Sequence, residues 1–310
     1  MLRKLSTAVA GRVATSLTYP VRPPSGFQNG RIVTPGHWDK IASIFPQEPW
    51  KGDDTLLHDE EQPVKIQVND ARSATKSLTL NNNGFELRKW PAAVDNLAQA
   101  NSDIIRTAYY KDTENLVKAA TGAKDVFVFQ HMRRDGTLAN KGGDEKLADP
   151  DAEPAHGAVQ RVHADYTSDN GPLKLRQLVE DGLVPEGLVA DRPWSICNVW
   201  RSTDTENPIT ELPLAVLDTS TVSTDSVFTY ALVTHNTKPP LVGYNNGVSF
   251  DPKHDWYYYS NMTHEEALLF YTYDDSFQTA NPRFVFHSAI DTGAKGAPRK
   301  SIECRCLVVF

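Results

Sequence analysis

His163, Ala164 and Asp165 lie in the run Val159-Gln-Arg-Val-His-Ala-Asp-Tyr-Thr167, whose alternation of apolar and polar residues predicts a strand. Residues two apart in a strand face the same side. The His163 imidazole and the Asp165 carboxylate can therefore reach one metal ion together. A third donor stands near the C-terminus, His287, in the strand-like run Phe284-Val-Phe-His-Ser-Ala-Ile290. About a dozen residues further on, Arg299-Lys-Ser301 opens a last predicted strand, Ser301 to Phe310. Two histidines and one carboxylate on one face are the donor set that leaves coordination positions open on non-haem Fe(II) in oxygenases. An arginine with a serine two residues on suits a dicarboxylate co-substrate such as 2-oxoglutarate. The guanidinium fork takes a carboxylate in a bidentate pair and the hydroxyl supplements it. His-x-Asp alone is a weak signal, and its plain alternative is a structural pair on a strand, with Arg299 a surface charge. The ordered set carries the weight, because spacing and context agree.

Other residues compete for places in such a site. Nine histidines are present. His235 sits on a predicted strand but has no Arg-x-Ser behind it at the right distance, and His264 falls in a turn-like segment. His37, His58, His156 and His254 are in polar loops. Asn198 and Arg201 are three apart, so at most one of them faces inward unless the strand bulges. Arg305 shares the parity of Arg299 and Ser301 and could help to neutralise 2-oxoglutarate, with Glu303 as its ion-pair partner. Asn198 is likewise a candidate for the co-substrate. His131, Arg134, Trp200 and Arg201 are candidates for the substrate side, although the plainer reading of His131 is an edge histidine. The aromatic cluster Trp256 to Tyr259 reads as core.

The elements that must position these residues are mostly strands. Val64–Val68, Ser77–Leu80 and Phe85–Arg88 are predicted strands, with Asn81-Asn-Asn-Gly84 a hairpin-like turn. Asn101 or Ser102 caps a helix that runs to about Ala120 and ends at Gly122. Val126–His131 is an apolar strand. Met132–Ala158, rich in Asp, Gly and Lys, reads as a loop directly before the His-x-Asp strand, either a lid over the site or a plain surface loop. A short helix covers Pro172–Asp181. Strands then crowd together at Ser195–Arg201, Leu214–Leu217, Val227–His235, Trp256–Ser260, Ala267–Tyr273, Phe284–Ile290 and Ser301–Phe310. This order predicts a mainly β chain with a few helices, a single double-stranded β-helix (jelly roll) over residues 1–310, with residues 1–60 as an N-terminal arm and extension.

Bulk properties narrow the partners. The chain is 310 residues long, 40% hydrophobic and 23% charged, which suits a globular protein with a full core. The net charge of −7 argues against a nucleic-acid partner. No apolar run approaches the roughly 20 residues that span a bilayer, so no membrane partner is expected. Cys197, Cys304 and Cys306 are odd in number and form no C-x-x-C pair, which fits a reducing, cytoplasmic compartment. Residues 1–38 hold arginine, lysine, serine and threonine but no acid, so a mitochondrial transit segment is the alternative.

The chain also resembles a known family. His163-Ala-Asp165, Ile196-Cys-Asn-Val-Trp-Arg201, Trp256-Tyr-Tyr258, Glu266-Ala-Leu-Leu-Phe270, the His287 strand and Pro298-Arg-Lys-Ser-Ile-Glu-Cys-Arg305 occur in the order seen in the fungal hydroxylase/desaturase family of secondary metabolism, the aspergillic-acid pathway hydroxylase and gibberellin desaturase type. The similarity covers about residues 14 to 310 and includes Leu17-Thr-Tyr19. It implies a jelly roll, Fe(II), 2-oxoglutarate and dioxygen, and hydroxylation or desaturation of a small molecule. It places His163, Asp165 and His287 on iron and Arg299 with Ser301 on 2-oxoglutarate. The chain departs from the family at Ser202 and Phe286, where proline is expected. Two other readings remain at this point: a metal-dependent non-redox enzyme, isomerase-like, on the same fold, and a non-catalytic jelly-roll binding module.

Overall fold

The computed structural model describes residues 11–22, 30–32, 61–138, 157–168, 170–234, 241–275 and 284–310. Thirteen strands are found among them. They are β1 Arg12–Pro20, β2 Gly30–Ile32, β3 Glu61–Asp70, β4 Phe85–Lys89, β5 Asp125–Asp135, β6 Trp194–Ser202 and β7 Leu214–Leu217, followed by β8 Val227–Thr234, β9 Leu241–Val248, β10 Trp256–Tyr258, β11 Glu266–Asp274, β12 His287–Ala289 and β13 Lys300–Val309. One sheet has the order β1-β3-β10-β7-β12, a second β4-β11-β6-β13-β5, and a third β2-β8-β9. The two larger sheets face one another. Leu214, Val216 and Tyr257 of the first pack against Phe85, Trp200, Leu268 and Phe270 of the second in one buried cluster. This is the mainly β, jelly-roll architecture expected.

The other face of the second sheet is covered by helix. Asn101 caps it through its side chain, which accepts from Ile104 N, and the helix then runs as Ser102–Ile104, a π turn Ile105–Tyr109, and Tyr110–Thr121. It ends at Gly122, whose φ of 72° is the left-handed conformation that favours glycine. Ile105, Tyr109, Leu116 and Val117 of this helix bury against Val126, Val128, Cys197, Val199, Ile302, Cys304 and Cys306. The extra residue of the π turn shifts the helix phase, so Val117 turns inward where a regular period from Ile105 favours Ala119. The three cysteines are unpaired and buried. A second helix, Asn170–Glu180, closes the far end of the sandwich over Trp194, Ile196, Leu307 and Val309.

Several expectations need correction. Ser77–Leu80 is no strand. Thr79 caps the single helical turn Leu80–Asn83, with Gly84 left-handed at its end. Phe85–Lys89 is then a strand, but its mate is β11, about 180 residues away, not a hairpin partner. The Val159–Thr167 run forms only isolated bridges, Thr18 with Arg161, His163 with His287 and Ala164 with Asn246. Its alternation survives all the same. Val162 and Ala164 are buried in the core, while His163 and Asp165 face the other way. The loop expected over Met132–Ala158 starts later, since β5 continues to Asp135 and a short 3-10 turn follows. Residues 139–156 of that segment and His235 lie outside the described residues. β1 was not expected as an element, yet it pairs with β3 over its whole length and buries Leu17 and Tyr19.

Candidate metal centre

The site is assembled by β12 and the bridge segment beside it. The backbones of His163 and His287 exchange both hydrogen bonds, at 3.2 and 2.9 Å, which fixes the two rings side by side with centroids 4.4 Å apart. His163 Nδ1 donates to Arg161 O at 2.8 Å, and His287 Nδ1 meets Val285 O at 3.2 Å. A carbonyl only accepts, so each ring holds its proton on Nδ1 and presents the Nε2 lone pair. One ligand atom from each of His163, Asp165 and His287 lies within 4.8 Å of the others. Phe270, with its ring 4.9 Å from that of His287, walls the histidine from the core side.

The carboxylate is anchored through one oxygen. Asp165 Oδ2 accepts from Asn198 Nδ2 at 3.0 Å and pairs with Arg305 Nη2 at 3.2 Å. Oδ1 is left toward the histidines, 3.6 Å from His163 Nε2. Electrostatics match the donor set that a divalent ion needs. Burial, with His287 adding to it, depresses His163 to about 4, and burial likewise lowers His287, so both imidazoles are neutral ligands. Burial opposes the Asp165 charge, but Arg305 beside it, then His287 and His163, hold it well below the usual carboxylate range. Two neutral imidazoles and one anion, with a hydrophobic wall behind, fit Fe(II).

Arg299, Glu303 and Arg305 line the same pocket as the three candidate ligands, together with Arg134 and Trp200. Ser301 shares the strand face of Glu303 and Arg305 and lies opposite Arg134. Arg299 is 5% exposed, donates to Leu212 O at 2.6 Å and lies over the Trp200 ring at 5.6 Å. Burial, then Arg134, lowers it to about 9. Ser301 is buried, and its Oγ has no hydrogen-bond partner among the described residues. An unsatisfied buried hydroxyl costs free energy unless something absent from the protein itself pairs with it. The residues present therefore fit the co-substrate too.

The remaining candidates divide. Asn198, expected on the co-substrate, donates to Asp165 Oδ2 instead, and Arg305, though it lines the pocket, pairs with the same oxygen and donates to Gln130 Oε1. Of Asn198 and Arg201, the first faces inward. Arg201 is on the helix side of β6, over the Tyr109 ring and bonded to Trp90 O. His131 is also on that side, its Nδ1 bonded to Tyr110 OH at 2.8 Å. Trp256, Tyr257 and Tyr259 are core, as read. Val159, Leu214 and Ala289 complete the pocket wall, and nothing in their spacing singles them out.

Comparison with known proteins agrees with this picture. A family model described as an oxidoreductase/YMDC permease-like domain matches residues 39–309. No helix among the described residues is long and apolar enough to cross a membrane. The hydroxylase/desaturase efuI of Hormonema carpetanum is 29% identical over 83% of this chain and 86% of its own length. The hydroxylase/desaturase CTB9 of Cercospora beticola is 26% identical over 100% of this chain and 98% of its own. The Fe(II)/2-oxoglutarate-dependent dioxygenase nvfI of Aspergillus novofumigatus is 27% identical over 79% of this chain and 83% of its own. A solved structure titled as the iron and alpha-ketoglutarate-dependent endoperoxidase NvfI superposes with a TM-score of 0.71, covering 97% of this chain and 98% of that one at 21% identity. The chain belongs to the oxidoreductase/YMDC permease-like domain family and is related over most of its length to fungal hydroxylase/desaturases.

Proposed function

We infer that the protein is a non-haem Fe(II)- and 2-oxoglutarate-dependent oxygenase that hydroxylates or desaturates a small molecule in fungal secondary metabolism. The convergence of His163, Asp165 and His287 beside Arg299 and the unpartnered Ser301 hydroxyl carries this reading. Curated relatives named as hydroxylase/desaturases and as an Fe(II)/2-oxoglutarate dioxygenase support it.

Iron, when bound, supplies the activation of dioxygen, at the expense of 2-oxoglutarate, which leaves as succinate and CO2. The chain does the rest. His163 and His287 through Nε2 and Asp165 through one oxygen would hold the ion, and this donor set would leave positions for co-substrate and dioxygen. Asn198 and Arg305 keep Asp165 Oδ2 occupied and so hold that ligand to a single donated oxygen. Arg299 and Ser301 would take the far carboxylate of 2-oxoglutarate and so orient the co-substrate. Trp200 and Phe270 exclude water from the buried side.

Purified protein supplied with Fe(II) and ascorbate should convert 2-oxoglutarate to succinate, slowly even without its own substrate. Succinate release that persists after iron or dioxygen is removed would overturn the assignment.

A further inference from the structure

Arg134 is a pocket residue that this function leaves unused. It lies on β5 directly opposite Ser301 of β13 in the antiparallel register. Continuing that register sets Gly136 opposite Arg299, and Gly136 N donates to Arg299 O at 2.7 Å. Arg134 and Arg299 are therefore diagonal neighbours on one face, a relation that brings side chains within about 7–8 Å. Glycine at 136 leaves the space above this corner free of a side chain, and a Cβ there would come within 3.0 Å of Arg299 N.

The corner is unfavourable as it stands. Three guanidinium groups, those of Arg134, Arg299 and Arg305, line a pocket in which Arg299 is almost wholly buried. Burial, and after it a neighbouring guanidinium, lowers both Arg134 (beside Arg305) and Arg299 (beside Arg134). Arg134 spends one amino group on Gly157 O. Arg299 spends one on Leu212 O. On the same strand face, opposite Arg134 and two residues from Arg299, lies Ser301, its hydroxyl buried and without a hydrogen-bond partner among the described residues. Glu303 is the nearest acid of β13 on the same face, but it is also drawn to Arg305, with Oε1 3.6 Å from Nε. Buried like charges persist where something of opposite charge joins them. Two cations flanking a free hydroxyl are the donors for an anionic, planar oxygen pair.

We propose that Arg134 is the second guanidinium of a carboxylate cradle, in which Arg134 and Arg299 flank Ser301 and together hold the far carboxylate of the co-substrate. The proposal rests on the 2-oxoglutarate reading and adds a residue from a different strand to it. β5 thereby becomes part of the co-substrate site.

Binding to Mn(II)-loaded protein, followed by calorimetry without dioxygen, tests this without turnover. Two probes are used: 2-oxoglutarate, and 2-oxopentanoate, which keeps the keto acid but lacks the far carboxylate. Arg134→Gln should raise the Kd for 2-oxoglutarate by roughly ten- to a hundredfold, the scale of one charge-assisted pair. It should leave 2-oxopentanoate nearly unchanged. Arg134→Lys, which keeps the charge and guards against a misfolded variant, should fall between. If Arg299→Gln weakens 2-oxoglutarate while both Arg134 variants bind it as the unmutated protein does, the cradle is wrong and the function stands. Equal weakening of both probes would mean general damage to the pocket and would also overturn it. If neither arginine affects 2-oxoglutarate, the reading of the site falls with the proposal.

Discussion

At the residue scale, the candidate ligands His163, Asp165 and His287 are held in the form that a metal takes up. A histidine whose folded pKa is depressed resists protonation in the folded state while the unfolded chain accepts the proton. For His163 the unfolded value is about 6.5 and the folded one about 4. Its contribution to stability is thus fully present above about pH 6.5 and is lost as pH falls toward 4, on the order of 3 kcal/mol in all. His287 shifts in the same direction. Glu303, raised by burial and then by Asp165, contributes the opposite slope. The comparison that isolates His163 is therefore a variant, His163→Gln. Metal-free protein should lose thermal stability between pH 6.5 and 4, and the variant should lose measurably less. Parallel curves for the two would mean that the ring is not held neutral by its surroundings.

At the scale of elements, which face a residue occupies decides its role, and two strands make the point. In β6 the register against β13 runs unbroken from Trp194 to Ser202, so Asn198 and Trp200 face the pocket while Cys197, Val199 and Arg201 face the helix. Arg201 is fully buried there, with Nε and Nη2 unpartnered. A buried charge with incomplete hydrogen bonding is often no more stable than an apolar side chain of similar volume. Arg201→Met should therefore change unfolding free energy by less than about 1 kcal/mol, or raise it, and leave metal and 2-oxoglutarate affinity intact. A variant that folds but no longer binds 2-oxoglutarate would move Arg201 to the pocket side. In β5 the register jumps, with Arg305 opposite Gln130 and Cys306 opposite Val128. Phe129 is the extra residue. Without this bulge Arg134 would share the helix face with Val126 and Val128, and His131 would point into the pocket.

At the scale of the whole molecule, the first strand reaches the metal segment. Val162 N donates to Thr18 O at 2.8 Å, one residue before His163. Leu17 and Tyr19 are buried, and the Tyr19 hydroxyl accepts from Trp256 Nε1 at 2.8 Å. Loss of residues through 20 would remove an edge strand, part of the core and this backbone support together. Leu17→Ala should lower unfolding free energy by roughly 2–5 kcal/mol, the range for a buried leucine replaced by alanine. Denaturant titration checks it, and a loss below about 1 kcal/mol would mean that β1 is only loosely held.

The amino-acid sequence by itself determined the candidate ligand types and their spacing. His163-Ala-Asp165, the late His287 and Arg299-Lys-Ser301 are legible because strand alternation is local and survives even where the segment forms only isolated bridges. The helix ends at Gly122 and Gly182 were legible for the same reason, since a left-handed residue marks a stop wherever the helix lies. Tertiary structure alone decided the rest. The helical turn at Leu80–Asn83 prevailed over a strand because Thr79 and Gly84 cap it and β4 finds its partner at β11. The alternation of β1 carries no hint that its partner would be β3. Parity limited Asn198 and Arg201 to one inward place without saying which, and the packing of the helix on Cys197 and Val199 settled it. The bulge at Phe129 switches the faces of β5 partway along the strand, because register is a property of two strands and cannot be read from one.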